Sequence, residues 1–272
     1  MPAPATDAVF LGSIPAIYES HLVPLIFEPY AADLAARLRA RSPTRVLEVA
    51  AGTGVVTRAL ASALPATVPI VATDLNPAML DEAARRGTSR PVQWQPADAM
   101  QLPLPDASVD AVVCQFGAMF FPDKARAFAE ARRVLKAGGV FVFNVWDRID
   151  TNEFADVVTR ALEPMFPADP PRFLARTPHG YSDTSTIARD LAAGGFAAPP
   201  QIDPLELRSR AAGPRVPAIA FCQGTPLRHE IEVRDAARLL EATDTAAAAL
   251  AARFGSGAID GRMRAHVVTV VR

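Results

Sequence analysis

The sequence predicts an α/β protein with a Rossmann-like, doubly wound sheet of seven strands, mostly parallel with an antiparallel last strand, together with a helical cap. Short apolar runs alternate with helical patterns between residues 44 and 147, which is typical of a parallel sheet. Within this region the stretch VLEVAAGTGVVTRAL, residues 46–60, changes from strand to helix at a glycine turn. Strand patterns at 202–210 and 265–272 complete the sheet.

The strands and helices of the core alternate in order. Five strand-length segments lie at residues 46–49, 68–75, 91–98, 109–115 and 140–146. Helical patterns begin after the first glycine turn, at Asn76-Pro77 and at Asp123, and the last two begin with residues that favour helix starts. The third helix should run to about Leu135, where the segment Lys136 to Gly139 closes it.

The segments that flank this core are mainly helical. Residues 1–13 are expected to form a loose leader, and residues 14–40 to form short helices broken at Pro24 and Pro29. Further helices are predicted at 152–163 and 184–193, on either side of a proline-rich loop, and residues 214–254 are mostly helical.

We therefore expect one structural domain with three parts. Residues 1–43 form an N-terminal helical cap, residues 44–147 a ligand-binding Rossmann-like core, and residues 148–272 the remaining strands with an inserted helical cap. Cap segments at 1–40, 148–185 and 211–260 are expected to be a mobile cover over the carboxyl edge of the sheet, where open α/β sheets bind ligands.

Composition favours small-molecule partners. The chain has 272 residues, half of them apolar, so it has enough apolar residues for a large core. Its formal charge is −1 and its basic residues are scattered, which argues against nucleic acid or an anionic membrane as partner. Cys114 and Cys222 lie in apolar stretches, as buried thiols of a cytoplasmic protein do, and the first ten residues lack a signal-peptide pattern. We expect a cytoplasmic monomer or homodimer.

The glycine turn should hold a ligand. Gly52 and Gly54 allow backbone N–H groups to approach a bound molecule, and the helix that follows directs its free amides toward it. Asp74 follows Gly54 at the distance of a dinucleotide-binding acid, so a nicotinamide cofactor is one interpretation. Thr57 weakens it, because it stands where that motif requires a third glycine or alanine.

Four motifs in order resemble those of class I S-adenosylmethionine-dependent methyltransferases, especially the group with the ubiquinone and menaquinone C-methyltransferases. They are VLEVAAGTG, ATDLNPAML, PADAMQLPLPDASVDAVVCQFG and LKAGGVFVFNVW. The resemblance covers roughly residues 44–147. One departure is Ala50, which stands where many relatives have the first glycine and restricts the backbone there.

The resemblance implies S-adenosylmethionine as cofactor and assigns its binding residues. Asp74 would accept from both ribose hydroxyls, Leu75 and Met79 would enclose the adenine, and Asp98 would accept from the exocyclic amine of the adenine. Gln115 would lie near the methionine part, and Glu48 would order the turn. The full set of implied cofactor-binding residues is Tyr18, Ala50, Ala51, Gly52, Thr53, Asp74, Leu75, Met79, Asp98, Ala99, Met100 and Gln115.

The acceptor is expected to be a small, aromatic or heteroaromatic metabolite methylated on O, N or C. Aromatic residues expected to enclose it are Phe27, Phe116, Phe120 and Tyr181. His21 is the first candidate for a general base and His179 the second, although an acceptor that arrives ionised needs no base. No metal-ligand spacing is present, so metal-independent transfer is predicted. The alternatives are a nicotinamide-dependent oxidoreductase and a non-catalytic S-adenosylmethionine-binding regulatory protein.

Overall fold

A seven-stranded sheet forms the centre of the protein. The computed structural model describes residues 7, 10 and 12–272. Its strands are β1 Val46–Val49, β2 Ile70–Asp74, β3 Gln93–Pro96, β4 Val109–Gln115, β5 Leu135–Trp146, β6 Gln201–Ala211 and β7 Ile259–Val271. They lie in the order β3-β2-β1-β4-β5-β7-β6. Neighbours from β3 to β5 pair in parallel, and β7 runs antiparallel to β5 and β6. The predicted fold class is confirmed.

Helices cover both faces of the sheet. They are α1 Ile14–Ile17, α2 Glu28–Ala40, α3 Val55–Ala63, α4 Pro77–Arg86, α5 Lys124–Val134, α6 Glu153–Leu162, α7 Phe173–Arg176, α8 Thr184–Ala193, α9 Arg215–Gln223, α10 Leu227–Asp235 and α11 Leu239–Phe254, with a π-helix at Tyr18–Phe27. Alternate strand residues point to opposite faces, so Val46 packs with α2 and α3 while Leu47 belongs to the other apolar cluster. The strands of the core are therefore buried on both sides.

The N-terminal helices run on through Pro24 instead of breaking there. The π-helix Tyr18–Phe27 continues directly from α1 and into α2, and the Glu28 N–H reaches back to the carbonyl of Val23. These wider turns accommodate a proline that has no N–H of its own. Pro29 lies in the first turn of α2, where the missing N–H costs nothing. Most of the predicted leader, residues 1–13, lies outside the described residues.

Two strands are longer than predicted. β5 begins at Leu135, so the segment Lys136 to Gly139 belongs to a strand and does not close the preceding helix. Its end is held by β7, because Gly138 donates to the Arg272 carbonyl and Arg272 donates to the Gly139 carbonyl. β7 begins at Ile259, because its residues 259–269 pair with the whole length of β6.

The cap packs together above the carboxyl edge of the sheet. The π-helix contacts α9, α9 contacts α11, and α11 contacts α6. One apolar cluster joins Leu22 of the π-helix and Phe221 of α9 to Phe143 of the sheet. Within the described ranges, no helix combines the length and apolarity needed to cross a bilayer.

Both cysteines are buried free thiols. Cys114 and Cys222 form no disulfide, and burial raises the pKa of each thiol to about 12. They therefore remain protonated and act as small apolar side chains.

Candidate functional site

The glycine turn after β1 is held in shape by Asp74. Oδ2 of Asp74 accepts from the Gly52 N–H at 2.8 Å, and Oδ1 accepts from the Asn76 N–H at 2.8 Å. The neighbouring N–H of Ala51 donates to the Thr73 carbonyl. The end of β2 thus fixes the loop after β1, and the two loops form one side of a cavity.

Gly54 lets the helix after the turn approach the sheet closely. It has a φ of 83°, and a Cβ at this position would lie 2.9 Å from Cη2 of Trp94 and 3.2 Å from Cβ of Ala83. Any larger residue would be strained and would also displace these neighbours. The predicted requirement for glycine at this turn therefore has a steric basis.

Ala50 takes up a left-handed conformation, with a φ of 55°. Its methyl group fits because Gly117 lies opposite: a Cβ added at Gly117 would lie 2.5 Å from Cβ of Ala50 and 2.8 Å from Sγ of Cys114. The chain thus accommodates alanine at a position that favours glycine, at the cost of needing glycine at 117.

Buried polar groups behind the glycine turn stabilise its conformation. The Thr57 hydroxyl donates to Oε2 of Glu48 at 2.5 Å, and burial raises the pKa of Glu48 to about 8, which keeps its carboxyl largely protonated at neutral pH. Arg58 donates to the Thr53 carbonyl and also to Glu19 of the π-helix at 2.8 Å. Arg58 therefore connects the glycine turn to the cap.

A cavity, here called the cofactor cavity, lies between this turn and the ends of β2, β3 and β4. Its lining is Phe10, Tyr18, Val49, Ala50, Gly52, Asp74, Leu75, Asn76, Met79, Ala97, Asp98, Ala99, Met100, Gln115, Phe116, Gly117, Phe120, Phe121 and Pro122. Ten of the twelve predicted cofactor-binding residues belong to this set. Ala51 and Thr53 do not, because both are buried behind the turn.

Polar groups of the cofactor cavity have unused hydrogen-bonding capacity. Asp74 is 8% exposed and takes part in none of the ion pairs found among the described residues, and burial raises its pKa. Oε1 of Gln115 is buried without a hydrogen-bond partner in the described part of the chain. Asp98 accepts from the Met100 N–H with one oxygen. These acceptors fit the ribose hydroxyls, adenine amine and ammonium group of S-adenosylmethionine.

The rim of the cofactor cavity has an apolar side chain open to solvent. Leu75 is 60% exposed, while Met79 beside it is buried. An adenine ring between them would cover Leu75, as the resemblance implies.

A second cavity, here called the aromatic cavity, adjoins the first and extends under the cap. Its lining is Phe10, Tyr18, Leu22, Ile26, Phe27, Phe116, Phe120, Trp146, Asn152, Phe154, Ala155, Phe173, Leu174, Pro178, His179, Ser209, Phe221, Thr225, Arg262 and Met263. Phe10, Tyr18, Phe116 and Phe120 line both cavities. A molecule in the aromatic cavity would therefore lie beside the cofactor.

Phe116 is held in a strained conformation at the junction of the two cavities. Its φ is 49°, and its N–H donates to Oδ1 of Asn144 at 3.0 Å. This orientation stacks its ring on Trp146, with centroids 3.8 Å apart and planes 6° apart. Strain of this kind in a bulky residue is typical of functional sites.

The histidines are placed differently from the first expectation. His21 lines neither cavity, and its Nδ1 lies 2.8 Å from the Ser20 hydroxyl. His179, the second candidate, is buried and lines the aromatic cavity.

Of the predicted acceptor-binding residues, Phe27, Phe116 and Phe120 line the aromatic cavity and Tyr181 does not. The Tyr181 hydroxyl donates to Asp190 at 2.9 Å, and the Lys124 ammonium lies 4.7 Å from the centre of its ring. The Tyr181 side chain therefore interacts with side chains of α5 and α8.

The residues that sequence reasoning missed include Phe10 and Trp146. Phe10 lies in the predicted leader, and its ring meets Tyr18 edge-on at 6.0 Å. Trp146 stands at the carboxyl end of β5 and of the last motif, and a tryptophan at that position was a usable signal. In the described part of the chain, no group of three or more His, Cys, Asp or Glu side chains is placed to hold a metal ion. Metal independence remains a prediction.

The strand order, the glycine turn and the cavity beside Asp74 define a Rossmann-like protein that binds a nucleoside-containing cofactor at its topological switch point. The family model of a methyltransferase domain matches residues 47–143. A demethylmenaquinone methyltransferase of Deinococcus radiodurans is 44% identical over 110 residues, which cover 40% of this chain and 45% of the relative.

Two further comparisons extend over more of the chain. A ubiquinone/menaquinone biosynthesis C-methyltransferase of Caulobacter vibrioides is 31% identical over 182 residues, covering 60% of this chain and 71% of the relative. The solved structure of the YcgJ protein of Bacillus subtilis has a TM-score of 0.56 and 20% identity, and the match covers 90% of this chain and 98% of that one. This last comparison supports the fold.

The chain belongs to the class I S-adenosylmethionine-dependent methyltransferases, in the group that includes the ubiquinone and menaquinone C-methyltransferases. Its cofactor is S-adenosylmethionine. The nicotinamide alternative is set aside, in agreement with the Thr57 hydroxyl that fills the position where the dinucleotide motif needs space. The matched segment spans less than half of the Deinococcus relative.

Proposed function

We propose that this protein transfers a methyl group from S-adenosylmethionine to a small, flat, aromatic or heteroaromatic metabolite bound in the aromatic cavity. The observation that carries the proposal is that four aromatic rings are shared between this cavity and the cofactor cavity. The sulfonium of the bound cofactor supplies an electrophilic methyl group, and rings attract such a cation with their faces.

The roles of the cofactor-cavity residues follow from their geometry. Asp74 would bind the ribose hydroxyls with the lone pairs that Gly52 and Asn76 leave free. Asp98 and the backbone of Met100 would bind the adenine edge. Gln115 would accept from the ammonium group through Oε1, since its amide group already donates to the Phe27 carbonyl at 3.4 Å.

The aromatic cavity would orient the acceptor and exclude water. Phe27, Phe116 and Trp146 form a connected group of rings, with centroids 5.6 Å apart for Phe27 and Phe116 and 6.2 Å apart for Phe27 and Trp146. Such a wall would hold a flat ring in place against the methyl group. Fixed placement and exclusion of water supply a large share of the rate in reactions of this kind.

The relatives suggest which acceptors to examine first. Their names describe methylation of demethylmenaquinone and a C-methylation in ubiquinone and menaquinone biosynthesis. A quinol-like ring, methylated on carbon, is therefore the first acceptor class to test for this chain, and phenols and ring nitrogens follow.

A turnover assay tests the proposal. Purified protein is incubated with S-adenosylmethionine and a panel of quinols, phenols and nitrogen heterocycles, and S-adenosylhomocysteine formation is measured. Saturated ring analogues of similar size serve as matched controls. Turnover with aromatic members and none with the saturated controls supports the proposal. Tight cofactor binding without turnover on any aromatic acceptor would contradict it.

A further inference from the structure

Three polar side chains that line the aromatic cavity are occupied by the protein itself. The Ser209 hydroxyl donates to the Leu25 carbonyl at 2.9 Å, and the Thr225 hydroxyl donates to the Phe221 carbonyl at 2.7 Å. The side-chain amide of Asn152 donates to carbonyl oxygens, and its oxygen accepts a backbone N–H. These groups have little capacity left for a ligand.

His179 differs from these three side chains. Its Nδ1 lies 2.8 Å from the carbonyl oxygen of Asp147. A carbonyl oxygen only accepts, so Nδ1 carries the hydrogen and Nε2 keeps a free lone pair. No donor among the described residues reaches Nε2. Arg262 also borders the cavity, and its Nε is buried without a hydrogen-bond partner among the described residues, but a guanidinium only donates and cannot take a proton.

Ring contacts connect His179 to the cofactor cavity. Trp146 contacts His179, in a tilted arrangement with a centroid distance of 5.9 Å, and stacks on Phe116 at 3.8 Å. Phe116 itself lines the cofactor cavity. An aromatic acceptor lying along this wall would have the methyl donor toward its Phe116 end and Nε2 of His179 toward its other end.

We propose that the acceptor is a hydroxylated aromatic ring whose O–H group donates to Nε2 of His179, and that this nitrogen takes the proton as the methyl group is transferred. This proposal rests on the proposed function above and names its acceptor class more closely. It also makes His179 a catalytic residue, since its Nε2 touches the reacting molecule.

The step balances without a further reactant. The O–H bond breaks and its proton passes to Nε2. The electron pair left on oxygen is delocalised to a ring carbon at the Phe116 end, this carbon forms the bond to the methyl carbon, and the S–C bond breaks with its pair on sulfur. The hydrogen of that ring carbon leaves as a proton in a later step to water. Positive charge is thus conserved in the cavity, since an imidazolium forms as the sulfonium is neutralised.

The surroundings of His179 agree with a base that is neutral before transfer. Burial lowers its pKa to about 4, so Nε2 is free at physiological pH. Asp147 and Asp156 act in the opposite direction and would stabilise the imidazolium once the sulfonium charge is gone. Arg264, with Nε 3.2 Å from Asp147, and His266, at 3.3 Å, are further charged or titratable groups on this side, and Arg262 lines the same cavity as His179.

The test compares His179→Phe and His179→Gln with wild type on two kinds of acceptor. One is a phenol that is neutral at the assay pH, and the other is a phenol, such as a nitrophenol, already ionised there. His229→Gln, on the exposed face of α10 and outside both cavities, is the matched control. Calorimetry with S-adenosylhomocysteine and a thermal melt establish that each variant is folded and binds cofactor.

We expect kcat for the neutral phenol to fall by roughly 10²–10⁴ in both His179 variants, with a much smaller loss for the ionised phenol. A purely structural role predicts the same loss for both acceptors, and that result would overturn the inference. Unchanged kcat in both variants would overturn it as well while leaving the proposed function intact. If the wild type methylates no aromatic compound, the proposed function itself fails.

Discussion

Replacing Asp74 by asparagine should lower the affinity for the cofactor and change the free energy of unfolding much less. The asparagine side chain has nearly the same shape, but it removes the negative charge and replaces one acceptor oxygen by an NH₂ group. In the wild type both carboxylate oxygens accept backbone N–H groups, from Gly52 and Asn76, and no cation balances the charge among the described residues. The variant therefore loses an acceptor where the ribose hydroxyls would bind.

The expected loss follows from the value of a charge-assisted hydrogen bond, about 1.5–3 kcal/mol. Affinity for S-adenosylhomocysteine should thus weaken by a factor of roughly 10 to 150. Stability should change much less, because removing a buried unpaired charge offsets part of the loss of one backbone hydrogen bond. In the wild type, affinity should also fall as pH is lowered through the pKa of Asp74, which burial raises above its usual range.

Isothermal titration calorimetry with S-adenosylhomocysteine gives the affinity, and urea unfolding gives the stability. Asp110→Asn is the control, since Asp110 is paired with Lys136 at 2.9 Å and lines neither cavity. Asp74→Ala should weaken binding in the same direction. If Asp74→Asn binds as tightly as wild type, the assignment of Asp74 to the ribose is refuted.

Three further predictions concern the turn, the cap and metals. Ala50→Gly should raise the free energy of unfolding by about 0.5–1 kcal/mol, because it relieves a left-handed alanine. It should also partly restore the stability lost in Gly117→Ala, since the two residues lie opposite each other. A double-mutant cycle measured by urea unfolding that finds no coupling would contradict this packing. Glu19→Gln should weaken the hydrogen bond to Arg58 by about 1–3 kcal/mol. Amide hydrogen exchange in the π-helix should then be faster than in wild type when cofactor is bound. Unchanged exchange would argue against a connection between cap and turn. Adding EDTA should leave turnover unchanged, and a loss restored by Mg²⁺ would show that the transfer depends on a metal ion.

The sheet and the cofactor cavity could be predicted from the sequence because the patterns that indicate them are local. Buried parallel strands have continuous apolar runs such as Ala111 to Cys114, and the turn residues Gly52 and Gly54 are required by the backbone they adopt. Asp74 and Asp98 follow parallel strands, so their meeting at one edge follows from the fold. Ten of the residues named for the cofactor do line one cavity.

The cap was less predictable because its geometry depends on packing between distant segments. Pro24 is a helix-breaking signal, yet π-helical turns carry the chain through it, and His21 lines neither cavity. The same packing brings Phe10 and Trp146 to the site and directs Tyr181 toward Asp190. No local pattern distinguishes an aromatic residue of a cavity wall from one of the core.

The most direct test of the central claim is a crystal structure of the protein with S-adenosylhomocysteine and a methylated aromatic product. We predict the ribose on Asp74, the product ring in the aromatic cavity beside Phe116, and the new methyl group directed toward the sulfur. A product bound outside the aromatic cavity, with the rings of this cavity in contact only with one another, would contradict the account.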